Sequence, residues 1–301
     1  MAHVRTLRKG KRRYYVLEHK YRLKGQVKNL QLYLGKDIPK NIERLKEQIE
    51  IRGMDIQWNP QFSLIKKSYQ KELASLPDVE IKRRMQQFMV EFIYHSDRIE
   101  GSSLTMKDTV DVLIHHISPP NKKLKDVQET QGYAEAFEDM IKTKKDVSKE
   151  LLCAWHRMLF KVADPIIAGR FRKHKIMVTG SRATFPWPEE LENEFRKFQQ
   201  WYDANKKKMN PIVLSGMVHL KFVSVHPFSD GNGRISRLVA NYILHKHGYP
   251  PFLLNVTKRR LYYNALEKSN LYSQDKHFLR FFVKLYLRQH NQYKTIDAKK
   301  S

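Results

Sequence analysis

The sequence predicts a mainly α-helical protein, with a short β-hairpin flap in its second half and a small β-hairpin extension at its N-terminus. Three observations lead there. Apolar residues recur at three- and four-residue steps through most of the chain after Asn41. Near the start, two runs rich in Tyr, Val and Leu, Arg13–Leu23 and Gln26–Leu34, flank Lys24-Gly25 and read as a hairpin. Later, Lys175–Phe185 alternates Ile176 and Val178 ahead of Gly180-Ser181, the one second-half segment that fits a strand or hairpin.

The N-terminal hairpin is strongly basic: residues 1–36 hold eleven Lys and Arg against one acid, Glu18. Arg, Lys and Tyr interleave along it, the pattern of a nucleic-acid-binding strand pair or of an edge blunted against aggregation. Next, Ile81, Met85, Phe88, Met89, Phe92, Ile93 and Ile99 form one apolar stripe that ends near Gly101, a natural C′ residue. Thr105 with Asp108 marks a capping box and so a new helix. Further helical periodicity covers Val127–Ile141, Ser148–Val162, Glu189–Asn205, Ile212–Val225, Arg234–His247, Lys258–Asn270 and Lys276–Arg288.

Composition narrows the function. With 301 residues and 41% hydrophobic content, the chain can bury a full core unaided. A single cysteine, Cys153, excludes an internal disulfide framework and a cysteine-ligated zinc site. Flanked by Leu151, Leu152 and Trp155, it is expected to be buried and inert. No apolar stretch is long enough to span a membrane and the first residues do not read as a signal peptide, so the expected compartment is the cytoplasm. The formal net charge of +26 points to acidic partners, nucleotides and nucleic acid among them.

The chemistry concentrates in His226-Pro227-Phe228-Ser229-Asp230-Gly231-Asn232-Gly233-Arg234-Ile235-Ser236-Arg237. Asn210 as N-cap and Pro211 at the first helical position open the preceding helix, and Pro227 ends it. His226 is thereby left at a helix exit. The glycines then permit positive φ and close backbone approach before a new helix begins near Arg234. A glycine turn emptying into a helix N-terminus is an anion site. Asn232, Arg234 and Arg237 can add side-chain donors for phosphate, Asp230 a hard oxygen for Mg²⁺, and His226 a base near neutral pH. The string lacks the preceding strand of a dinucleotide fingerprint, and no Walker-type Gly-Lys-Ser/Thr occurs anywhere. A nucleoside triphosphate, a metal and a proton to remove would satisfy every feature.

A second anomaly lies in Ser96-Asp97-Arg98-Ile99-Glu100-Gly101. Glu100 falls in the last turn of its helix, where the macrodipole disfavours a carboxylate, so either solvent or a nearby arginine must compensate. Ser96 shares its face and could steady the carboxylate.

The 226–237 string resembles the signature of the Fic (Fido) family, His-x-Phe-x-Asp/Glu-Gly-Asn-Gly-Arg-x-x-Arg, at every fixed position, and the likeness extends over roughly residues 80–285. The resemblance implies a Fic-type helical domain and protein adenylylation, in which a target hydroxyl attacks the α-phosphorus of ATP and pyrophosphate leaves. By the same resemblance His226 is the base and Asp230 holds Mg²⁺. Gly231, Asn232, Gly233 and Arg234 cradle the α- and β-phosphates, and Arg237 meets the γ-phosphate, with Ile235 and Ser236 inside the same binding string. The flap after Ala168-Gly169-Arg170-Phe171-Arg172, at Ile176, Met177, Val178, Thr179 and Gly180, docks the target by strand pairing. Tyr262-Tyr263 and Asn270 resemble adenine contacts, Tyr263 and Asn270 above all, with ordinary helix packing the competing explanation. Ser96, Glu100 and Gly101 fit the family's inhibitory motif, which implies that Glu100 pairs with Arg237 and occupies the γ-phosphate position.

The expected organisation is a basic N-terminal extension over 1–78 (hairpin, then helix), an inhibitory helix over 79–101, a Fic core over 102–288 and a polar tail over 289–301. Expected partners are ATP and a hydroxyl-bearing target protein or the chain itself. Nucleic acid is open through the basic hairpin, a homodimer is allowed, and no membrane is expected. Two rival readings stand beside adenylyl transfer: removal of AMP from a modified protein in the same pocket, with Glu100 positioning water, and a nucleotide-sensing regulator led by the basic hairpin. His219, on the face of His226, is expected to be a core residue, while His115, His116, His245 and His247 lack ligand company.

Overall fold

The computed structural model describes residues 1–177 and 182–294. Three antiparallel strands open the chain in the order β1-β2-β3: β1 His3–Lys9, β2 Arg12–Leu23 and β3 Gln26–Gly35. The expected hairpin is β2–β3, turning through Lys24 (φ 49°) and Gly25 (φ 79°), the double positive φ that a tight two-residue hairpin demands. β1 is an addition to that expectation. Its alternation is masked because Arg5, Arg8 and Lys9 fall on both faces, so only the pairing of His3 with Glu18 through Lys9 with Arg12 defines it.

Ten α-helices follow among the described residues. α1 is Ile42–Ala74, α2 Asp78–Glu100 and α3 Met106–Val110. α4 is Leu124–Lys142, α5 Lys149–Phe160, α6 Leu191–Asn205 and α7 Pro211–Val225. α8 is Asn232–Lys246, α9 Arg259–Leu271 and α10 Lys276–Gln289. The local signals hold where they were strongest. Thr105 and Asp108 close a reciprocal capping box, the Asn210 side chain caps the Ile212 N–H, and Gly101 ends α2 at φ 102°. No helix among the described residues is long and apolar enough to cross a membrane.

α7 explains the architecture. Its apolar residues cover every face, which only a helix surrounded by protein can bear. One side, with Leu214, Val218 and Phe222, packs into a cluster with Phe92, Tyr133, Trp155 and Ile235. The other, with Ile212, Val213 and Met217, packs with Phe252, Leu279 and Phe282. That second cluster also takes in Ile51, Phe62 and Ile65 of α1, so the packing runs without a break across the boundary expected at residue 78. The flanks of the flap on either side of the undescribed tip carry no strand.

Candidate active site

His226 caps the C-terminus of α7 in the left-handed region (φ 49°, ψ 55°). Its Nδ1–H donates to the Val223 carbonyl at 3.1 Å, which leaves the Nε2 lone pair for chemistry. The Phe185 ring lies 4.2 Å away, centroid to centroid. Burial lowers the imidazole to about 4, so the ring is neutral at physiological pH.

The turn after it is built by side chains. Asn232 accepts from the Phe228 N–H (2.9 Å) and donates to the Phe228 carbonyl (2.7 Å). Its amide therefore closes the loop with its oxygen and one of its two N–H protons, while the residue still borders the cavity. Gly231 holds φ 75°, and a Cβ there would meet the Phe160 ring at 2.6 Å. Because Gly231 supplies no side-chain cap, the N–H groups of the first turn of α8 remain available to an anion.

Two residues that sequence reasoning passed over hold this turn in place. His156 accepts from the Gly169 N–H (2.9 Å), so its Nε2–H donates to the Asp230 carbonyl (3.0 Å), and its ring stacks on Phe228 at 3.8 Å. Arg172 is buried and donates through Nε to the His226 carbonyl (2.9 Å) and through Nη2 to the Pro186 carbonyl (2.6 Å), tying the flap base to the turn at His226. Arg172 stands in a noted string, but a long-range clamp leaves no local spacing to read.

The two arginines of the string face different partners: Arg237 meets Glu100, as expected, while Arg234 turns inward. Arg234 is buried behind the turn, paired with Glu129, 3.7 Å from Asp97 and 3.5 Å from Asp230, with its guanidinium 4.9 Å from the Phe160 ring centroid. Three carboxylates around one guanidinium compensate its burial and leave it no direct face on the cavity. Ile235 and Ser236 are fully buried, Ile235 in the core and Ser236 donating to the Gly233 carbonyl, so neither side chain lines the cavity.

Arg237 meets α2. Its Nε donates to Ser96 Oγ (2.7 Å) and its Nη2 to Glu100 Oε1 (2.5 Å) and the Ser96 carbonyl (3.3 Å). Tyr133 gives its one proton to the Arg234 carbonyl (2.8 Å), so the Ser96 hydroxyl donates to Tyr133 Oη (3.1 Å) while accepting from Arg237. Ser96 thus steadies the arginine rather than the carboxylate, contrary to expectation. The Glu100 carboxylate fills the space a Cβ on Gly233 would occupy, so the lock requires glycine there.

Beside this lock lies a cavity of about 560 Å³. Glu100, His226, Asp230, Gly231, Asn232 and Gly233 form one wall, Tyr262, Tyr263, Asn264 and Asn270 of α9 another, and Ile176, Met177 and Phe185 of the flap region a third. Tyr263 and Asn270 thus both line the cavity, joined by Arg259 and Glu267, which the sequence does not single out. Val178, Thr179 and Gly180 lie outside the described residues. Asp230 is half exposed toward the cavity, and no group of three or more His, Cys, Asp or Glu side chains gathers for a metal among the described residues. His219 is a core histidine, bonded to Tyr262 Oη at 3.0 Å and fully buried. Cys153 is half-buried, and burial pushes its thiol up to about 11.

A neutral imidazole thus borders the same cavity as the uncapped N-terminus of a glycine-initiated helix, on a helical scaffold. Residues 146–244, from the loop before α5 into α8, match the Fic/DOC family, and the chain carries a Fic/DOC-family domain. Among curated relatives, the protein adenylyltransferase Fic of Nematostella vectensis is 31% identical over 234 residues, covering 75% of this chain and 53% of that protein. The protein adenylyltransferase Fic of Culex quinquefasciatus is 32% identical over 198 residues, covering 64% of this chain and 39% of that protein. The chain therefore spans about half or less of the length of these relatives. A fragment of Fic-1 from C. elegans superposes with a TM-score of 0.65 at 26% identity, covering 85% of this chain and 77% of the fragment. A Fic-domain signaling protein from Bacteroides thetaiotaomicron shares the fold, with a TM-score of 0.68 at 24% identity over 77% of this chain and 96% of its own.

Proposed function

We propose that this protein is an ATP- and Mg²⁺-dependent protein adenylyltransferase held in check by its own α2. The observation that carries the reading is the Glu100–Arg237 pair beside the glycine turn, within reach of a neutral His226. ATP would set its phosphates on the N–H groups of α8 and its adenine against Tyr263 and Asn270. His226 Nε2 takes the proton of the target hydroxyl as that oxygen attacks the α-phosphorus, and pyrophosphate departs. Asp230, half exposed and facing the same space, suits a metal held by one carboxylate plus substrate phosphates. A magnesium ion bound there would neutralise phosphate charge. The target is a hydroxyl-bearing protein or the chain itself, aligned along the flap near Ile176 and Met177.

Glu100 supplies the regulation. Its carboxylate stands where the γ-phosphate would reach Arg237, so a triphosphate that seats there must break the 2.5 Å ion pair. In domain terms we assign 1–78 to a basic unit, 79–101 to the inhibitory helix, 102–288 to the catalytic core and 289–301 to a tail. Glu100 also lines the cavity, which favours one second reading, hydrolytic removal of AMP with this carboxylate orienting water. Intact-mass analysis after incubation with MgATP separates the two. Addition of one adenylate to Glu100→Gly, with none on His226→Ala and little on the native chain, is expected. Loss of de-adenylylation in Glu100→Gly with no gain of transfer would establish the reverse reaction instead.

A further inference from the structure

The outward face of the N-terminal sheet belongs to none of the machinery above. Antiparallel partners project to the same side, and His19 and its partner Leu30 crowd Gly53 of α1, which fixes the packed side. The opposite side therefore carries Arg5, Lys9, Arg12, Lys20 and Arg22, with Tyr14 and Tyr33 among them. Its one carboxylate, Glu18, is 4% exposed and is already satisfied by Arg5 at 3.3 Å and Gln31 at 2.7 Å. Lys9, Arg12, Lys20 and Arg22 are exposed and form no ion pair among the described residues, so their charge is uncompensated. Tyr14 and Tyr33 lie 6.1 Å apart, centroid to centroid, and Tyr33 is 62% exposed.

A sheet face bearing two neighbouring rings inside a frame of free cations matches a chain of phosphates that also offers flat faces. Unpaired bases offer such faces, whereas duplexes keep theirs stacked inside. A purely electrostatic partner, such as an anionic lipid surface, would make no use of the exposed Tyr33 ring. We propose that this face binds single-stranded nucleic acid, with Tyr14 and Tyr33 stacking on bases and Lys9, Arg12, Lys20 and Arg22 on phosphates. The proposal is independent of the adenylyl-transfer reading, because the face lies on the far side of the sheet from α1.

Fluorescence anisotropy with the full chain and a labelled single-stranded oligonucleotide tests it. Tyr33→Ala is expected to weaken binding by about 5- to 150-fold, while Tyr33→Phe, which keeps the ring, retains the native affinity. Lys20→Gln and Arg12→Gln should each make the slope of log affinity against log salt shallower by about 0.7. Circular dichroism and an unchanged thermal denaturation midpoint confirm that the variants are folded. Equal affinity for a duplex of the same length, tighter binding to phosphatidylserine vesicles than to the oligonucleotide, or indifference to Tyr33→Ala in a folded protein would each overturn the proposal.

Discussion

His226 lies against Phe185 with its Nδ1 proton committed to the Val223 carbonyl, a bond that favours the charged ring but is outweighed by burial. Burial lowers the ring to about 4, so the base is in its working form at every pH above that. Single-turnover transfer by Glu100→Gly should show no inflection of this ring near 6.5, and should fall off only as acid approaches about 4. An inflection near 6.5 in the pH–rate profile would mean that the ring is solvated. Linkage has the same sign: His226 and His156, both held near 4, bind protons better when unfolded, so both erode stability as pH falls below about 6.5. Ser96 is the other informative residue. Ser96→Ala removes the acceptor of Arg237 Nε and should cost about 1–3 kcal/mol by leaving a buried donor unpaired. It should also raise self-adenylylation, by less than Glu100→Gly does, since the carboxylate remains. A melting curve and a transfer assay on the same preparation check both halves.

Among the elements, the crossing of α4 and α5 shows how tightly the scaffold behind the site is set. A Cβ on Gly132 of α4 would stand 2.5 Å from the Met158 carbonyl oxygen and 2.6 Å from that of Leu159, both backbone atoms that cannot move aside. Gly132→Ala is therefore expected to lower stability by about 1–3 kcal/mol, read as a fall in denaturation midpoint at constant slope. Tyr133, the next residue, bonds the Arg234 carbonyl, so the same substitution should loosen the Ser96–Arg237 contact and raise basal transfer. α2 and α8 illustrate what was legible at this scale. The misplaced carboxylate at Glu100 signalled a missing partner, and Gly101 marked where the helix ends. The strings around Arg172 and His156 gave no such signal, because a guanidinium or imidazole bonded to a carbonyl 54 or 74 residues away follows no local period.

At the scale of the whole molecule, the N-terminal sheet, α1 and α10 are fastened by one buried pair. Lys276 Nζ lies 2.8 Å from Glu50 Oε2, and Glu50 Oε1 accepts the Ala2 N–H at 2.8 Å. Burial works to raise this carboxyl, but Lys276 and the Ala2 amide overcome it and hold it below the usual range. The stability it contributes is thus present above about 4.5 and is lost as pH falls through its lowered value. Glu50→Ala should cost about 3 kcal/mol by stranding the Lys276 charge. It should also flatten the acid limb of the stability curve below about pH 4.5, measured by urea unfolding at several pH values.

By itself the sequence determined the helices, the hairpin turn at Lys24-Gly25, and the adjacent groups of the turn from His226 to Gly233, because each depends on neighbours within about one helical turn. It also marked Glu100 as a charge in need of a partner. Tertiary structure decided why Arg234, Ile235 and Ser236 face inward, how Ser96 steadies Arg237, and how Arg172 clamps the flap. It also brought in the third strand, whose polar alternation acquires meaning only through pairing with β2. Those outcomes turn on which distant groups share a buried volume, where each charge must find compensation and each amide a partner, and no local pattern encodes that choice.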